Sequence, residues 1–122
     1  MTGQKVDETS HEEHNLPSGK WDGYFLDERD FGGHDAKWPI DVFISFKSDG
    51  KSFTGFGIDE VGPFEFKDGQ IQGESIRFVK TYSTHRIFYW GSYTNQHVRG
   101  YWGFSSNLQE GEFAMWPETQ SI

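Results

Sequence analysis

Lys80, Tyr82 and Arg86 flank one short turn, KTYSTHR at residues 80–86, and each carries a group that can hold a ligand. Two cations and a phenol at one strand end can orient a polar or anionic molecule by charge and hydrogen bonding. Phe88, Trp90 and Trp102, on the strands that follow, offer flat apolar surface for stacking. The plainer reading of the same residues is that their long side chains reach from a strand end into water.

Other spacings point to chemistry less well. HEEH (His11 to His14) places two imidazoles three residues apart with carboxylates between them, a pattern that can ligate a metal on a helix. It lacks the His-Glu-x-x-His spacing and lies in a polar tail without the supporting hydrogen bonds a metal site needs, so no metal is expected. His34 with Asp35, and the pair His85 and His97, suit acid–base work. His34 and Asp35 fall in a loop; His85 falls at a turn and His97 at a strand start, which places those two at the surface. Asp59 and Glu60 read as solvated turn residues. Gly-x-Ser-x-Gly, phosphate-loop and dinucleotide patterns are missing, so no catalytic residue and no cofactor are assigned. The chain has no cysteine, which removes disulfides, a thiolate nucleophile and thiolate metal ligands.

The elements that must position these residues read as strands. All 22 Phe, Tyr and Trp follow residue 20, while residues 1–18 mix Asp, Glu, His, Ser and Thr. Such a segment has little to bury, so residues 1–18 are expected to form a flexible tail, 19–117 one domain and 118–122 a short C-terminal tail. Within the domain the period is two. Segments 20–26, 40–47, 52–58, 63–67, 71–82, 86–94, 98–104 and 111–116 alternate, with 32–39 as a loop. Asp49-Gly50 and Asp68-Gly69 give hairpin turns, and DEVG at 59–62 gives another. Eight short antiparallel strands with tight connections predict an all-β, up-and-down barrel; a two-sheet sandwich is the alternative.

FTGFGIDEVGPFEFKDG (53–69) sets rings against glycines, which suits a strand that must bend so the sheet can close. Sorting all strands by parity gives an expected inner face of Phe56, Ile58, Phe64, Phe66, Ile76, Phe78, Phe88, Trp90, Val98, Trp102, Phe104, Phe113 and Met115. Lys80, Arg86 and Ser92 share that parity, and Tyr82 closes the strand of Lys80. Glu65, Lys67, Arg77, His97, Arg99 and Glu112 take the opposite face, in water. An eight-stranded barrel with this many rings is either filled or holds one small ligand.

SGKWDG, with Gly19-x-Trp21 at the head of the first strand, resembles the start of the calycin superfamily of lipocalin, fatty-acid-binding and avidin barrels. FTGFG is similar to the aromatic-Thr-Gly strand of avidin-type barrels, and the compact length resembles theirs. The resemblance implies that Trp21 plugs one barrel end, with a basic side chain from a late strand against it, Arg99 being the first candidate. The Asn and Ser that follow the Trp in biotin-binding avidins are replaced by Asp22-Gly23-Tyr24, so only the architecture is carried over.

These observations lead to a non-enzymatic binding barrel for a small, partly apolar ligand with a polar or anionic end, held by Lys80, Tyr82, Arg86, Phe88, Trp90 and Trp102. The alternative is a filled barrel that serves protein interaction or homo-oligomer assembly through Tyr89, Tyr93, Tyr101 and Trp116. A motif-poor isomerase or cyclase is a third reading. A net charge of -8 opposes nucleic-acid binding, and no apolar run reaches the roughly 20 residues of a membrane helix. The polar outer face argues against an outer-membrane barrel. With no apolar leader in MTGQKVDETSHEEHN, a cytoplasmic location is expected.

Overall fold

Successive side chains of an extended chain point to opposite sides, and Lys37–Phe46 shows the result plainly. Ile40, Val42 and Ile44 are buried on one side, whereas Asp41, Phe43 and Ser45 are exposed on the other. The structure is a computed structural model that describes residues 14–27 and 37–118. It contains β1 (Gly19–Leu26), β2 (Lys37–Phe46), β3 (Ser52–Ile58), β4 (Pro63–Gln72), β5 (Ser75–Tyr82), β6 (Arg86–Thr94), β7 (His97–Gly103) and β8 (Gly111–Pro117). Each strand pairs antiparallel with the next, and β1 also pairs with β8, which closes the barrel. The expected up-and-down barrel is the fold, and the sandwich is set aside. Among the described residues, no helix is long and apolar enough to cross a membrane.

The β2–β3 turn forms where Asp49-Gly50 stands. Asp49 accepts hydrogen bonds from the Lys51 and Ser52 amides and from the Ser52 hydroxyl, and Gly50 takes a φ of 71°. The Ser52 hydroxyl, followed by the two amides, lowers the Asp49 pKa to about 2.

Asp68-Gly69 behaves otherwise. The chain does not turn there, because β4 runs on to Gln72 and the hairpin comes at Gly73-Glu74. Asp68 adopts a φ of 55°, and the register slips between Lys67 and Gln70 against β5. A left-handed residue serves a β-bulge as well as a hairpin, and here it bends β4. Strand β2 also begins earlier than expected, at Lys37.

Two strands present the face opposite to the one expected. In β3, Phe53 and Gly55 are buried, while Phe56 and Ile58 are 61% and 69% exposed. The inner glycines leave room for rings of the neighbouring strand. A Cβ on Gly55 would come within 3.2 Å of the Phe66 ring, and one on Gly57 within 2.6 Å of Phe64. In β6, Tyr89 and Tyr93 are buried, while Phe88 and Trp90 are half-buried on the outer side. Tyr89 and Tyr93, expected at an outer interface, are therefore core residues. Phe104, beyond the end of β7, is exposed.

The interior is filled by rings. Phe66 stacks on Phe78 at 4.1 Å between centroids, Phe78 on Tyr89 at 4.9 Å, and Phe113 meets Tyr89 edge-on at 5.0 Å. At one end, where β1 starts, Trp21 is 1% exposed and its indole N–H donates to the Pro17 carbonyl at 2.9 Å. Residues 14–18, read from sequence as tail, pack there: Leu16 is buried, the Ser18 hydroxyl accepts from the Phe46 amide, and the Asn15 carbonyl accepts from Gln96. Arg99 is not beside Trp21 in the core; it is exposed on the outer face of β7. The opposite end, with the β3–β4 and β5–β6 turns, is the mouth.

Candidate functional site

Alternation along β5 sends Ile76, Phe78, Lys80 and Tyr82 to the inside. An amine so placed needs a partner, because a bare charge in an apolar interior is heavily penalised. The β3–β4 turn supplies it. Asp59 uses one carboxylate oxygen, Oδ1, as a turn residue does, accepting the Val61 and Gly62 amides at 2.9 and 3.3 Å. Its other oxygen, Oδ2, turns inward, lying 2.9 Å from Lys80 Nζ and accepting the Tyr82 hydroxyl at 2.5 Å. The Lys80 ammonium also stands 4.4 Å from the centroid of Phe64, 5.3 Å from Tyr82 and 5.5 Å from Phe25. Rings therefore take up charge that the carboxylate does not reach.

The ionisation states follow from this surrounding. Burial lowers the Lys80 pKa, with Asp59 acting against it. Burial raises Asp59, but the bonds from Tyr82 and Lys80 together outweigh it and leave the carboxyl below its ordinary value. Burial, then the bond to Asp59, raises Tyr82. Asp59 is ionised and Tyr82 protonated at neutral pH, so neither is poised there as a general acid or base. Tyr89 lies fully inside, its pKa raised by burial and by the Asp59 charge, and its hydroxyl has no hydrogen-bond partner among the described residues.

Above this cluster lies a cavity of about 450 Å³ in the mouth. Its walls are Phe25 and Asp27 at the end of β1, Trp38, Pro39 and Asp41 of β2, Ile58, Asp59, Glu60 and Val61 around the β3–β4 turn, and Tyr82 of β5. The Asp59–Tyr82 bond forms its floor, with Lys80 beneath. Rings and aliphatic carbons supply most of the wall; besides Asp59, the carboxylates of Asp27, Asp41 and Glu60 line it. Among the described residues, no His, Asp and Glu group has the clustering that holds a metal ion.

Of the residues singled out from sequence, Lys80 and Tyr82 come together here. Trp102 is buried nearby, its ring edge-on to Phe25 at 5.6 Å and its indole N–H donated to the Leu26 carbonyl. Arg86, Phe88 and Trp90 lie on the outer side of β6: Arg86 is exposed and covers the Phe88 ring at 5.6 Å, and Trp90 meets Tyr101 at 6.5 Å. His85 is exposed and stacks on Tyr82 at 4.8 Å. His14 packs on Phe46 at 5.0 Å. His11, His34 and Asp35 lie outside the described residues. Sequence reasoning missed the inward oxygen of Asp59 and the mouth residues Phe25, Asp27, Trp38 and Val61. The available signal was Lys80 itself, since an amine on an apolar strand face implies a carboxylate within reach.

Comparisons with protein-family models, with curated proteins and with solved structures gave no match for this chain. The fold and the mouth cluster define a closed, eight-stranded antiparallel barrel with a filled core and a buried ion pair at its mouth.

Proposed function

We propose that the protein is a calycin-like, non-enzymatic binding barrel that takes a small, partly apolar molecule in its mouth. The observation that carries the reading is the mouth cavity, whose apolar walls end in a few polar groups, the usual make-up of a small-molecule site. Gly19-x-Trp21 at the head of β1, with Trp21 buried, supports the calycin likeness. The filled interior supports a shallow seat between Phe25, Trp38, Val61 and Tyr82 rather than a deep one. Lys80 is already engaged by Asp59, and Asp27, Asp41 and Glu60 surround the opening, so the ligand's polar end is neutral or cationic rather than anionic.

Three naphthyl probes that differ only in carrying an ammonium, a hydroxyl or a carboxylate test this through tryptophan emission, Trp38 being in the wall. Saturable quenching is expected for the first two, weaker for the carboxylate, and reduced about tenfold or more in affinity by Val61→Asp for the neutral probe. A flat response to all three probes would sink the reading.

A further inference from the structure

A groove of about 780 Å³ lies outside the barrel, on the outer face of β2, β3 and β4. Phe43 and Phe56 face each other across β2 and β3 and stack there at 5.7 Å, although they are 49% and 61% exposed. Ile58 and Val61 extend the apolar surface toward the mouth at 69% and 62% exposure. Exposed rings grouped in this way mark a contact surface.

We propose that a second copy of this chain covers this face, as a symmetric dimer. The argument is the arrangement of charge. Register pairs Phe43 with Phe56 and Phe56 with Glu65, so Phe56 lies at the centre of the patch. Asp41 stands one row nearer the mouth on β2, and Lys67 one row farther from it on β4. These two opposite charges thus occupy diagonal corners around Phe56. A two-fold axis lying in the plane of the face, through Phe56 and across that diagonal, sets Asp41 of each copy against Lys67 of the other. The same operation packs Phe56 on its own equivalent, which is the self-complementarity a symmetric dimer requires. Asp41 also lies 3.2 Å from Lys20, and Lys67 lies 3.7 Å from Glu65, yet both side chains remain more than half exposed and can serve a second partner. The footprint, three strands wide on a convex barrel, belongs at the small end of protein interfaces, so the association is weak and concentration-dependent.

Sedimentation velocity from micromolar to millimolar protein tests the proposal. The parent chain is expected to pass from monomer to dimer, and Phe56→Ser to raise the dissociation constant about tenfold or more. Asp41→Lys and Lys67→Glu should each stay monomeric alone, since each sets like charges at both corners. Their equimolar mixture should dimerise, because every corner then pairs opposite charges; that recovery also shows that both variants are folded. A parent that remains monomeric at millimolar concentration, a dimer indifferent to Phe56→Ser, or a mixture that fails to associate would each overturn the proposal.

Discussion

The Lys80 ammonium lies 2.9 Å from the Asp59 carboxylate on a side chain only 2% exposed, and the Asp59 side chain is 21% exposed. The two partners therefore depend on each other unequally. Removing the carboxylate strands a charge in the core, whereas removing the amine leaves a carboxylate that still has Tyr82, two amides and some water. Asp59→Asn is expected to cost about 3 kcal/mol and Lys80→Met less than about 1.5 kcal/mol. Adding Lys80→Met to Asp59→Asn should then recover most of the loss. Urea unfolding of the three variants checks this; equal losses in the two single variants would contradict it.

The same pair shapes the dependence on pH. Asp59 is held below its ordinary 3.8, so its contribution is present above 3.8 and is lost as pH falls through the lowered folded value. Tyr82 and Tyr89 are raised from 10.0, so theirs is present below 10.0 and is lost as pH rises beyond it. Lys80, lowered from 10.5, works in the opposite sense, since its buried charge disappears as pH rises through the lowered value. The melting midpoint should drop in acid below 3.8 and in alkali above 10.0. Lys80→Met should show the steeper alkaline drop, a point that thermal scans across pH decide.

Tyr82 and Tyr89 share a chemistry but not a situation. The Tyr82 hydroxyl donates to a carboxylate, so Tyr82→Phe is expected to destabilise by about 2 kcal/mol. The Tyr89 hydroxyl is buried without a partner among the described residues, so Tyr89→Phe should be neutral or stabilising by about 1 kcal/mol. Opposite signs in denaturant titrations are the expected result; a loss of similar size in both would place an unseen acceptor beside Tyr89.

At the far end, Trp21→Ala is expected to cost about 3–5 kcal/mol, as truncation of a fully buried ring does. Leu16→Ala should cost about 2–3 kcal/mol, although Leu16 lies in a segment that reads as tail. A Leu16→Ala chain that melts like the parent would show that residues 14–18 add nothing to the barrel.

Legibility followed physical redundancy. Strands were readable where one parity is apolar and the other charged, as in β5, where Arg77 is exposed between buried Ile76 and Phe78. It failed in β6, where both faces carry rings and hydropathy cannot choose between Tyr89 and Trp90. It failed in β3 because the inner residues are glycines, whose role appears only once the Phe64 and Phe66 rings lie over them. Of the mouth cluster, Lys80 and Tyr82 were visible from their own strand. Asp59 was seen only as a turn residue, since nothing local says which way its second oxygen points.

Trp21 pairs with Val42 on one side and with Pro117 on the other. The first partner is local, whereas the second lies nearly the whole domain away in the chain. Hairpins β2 to β8 can form one after another, but the seam waits for the two extremes to meet. That requirement gives the topology a high contact order and predicts folding in milliseconds to seconds rather than microseconds. Until Gly111–Pro117 is available, β1 and β7 each present an unpaired edge, and a nascent or truncated chain lacking β8 carries two open templates for intermolecular pairing.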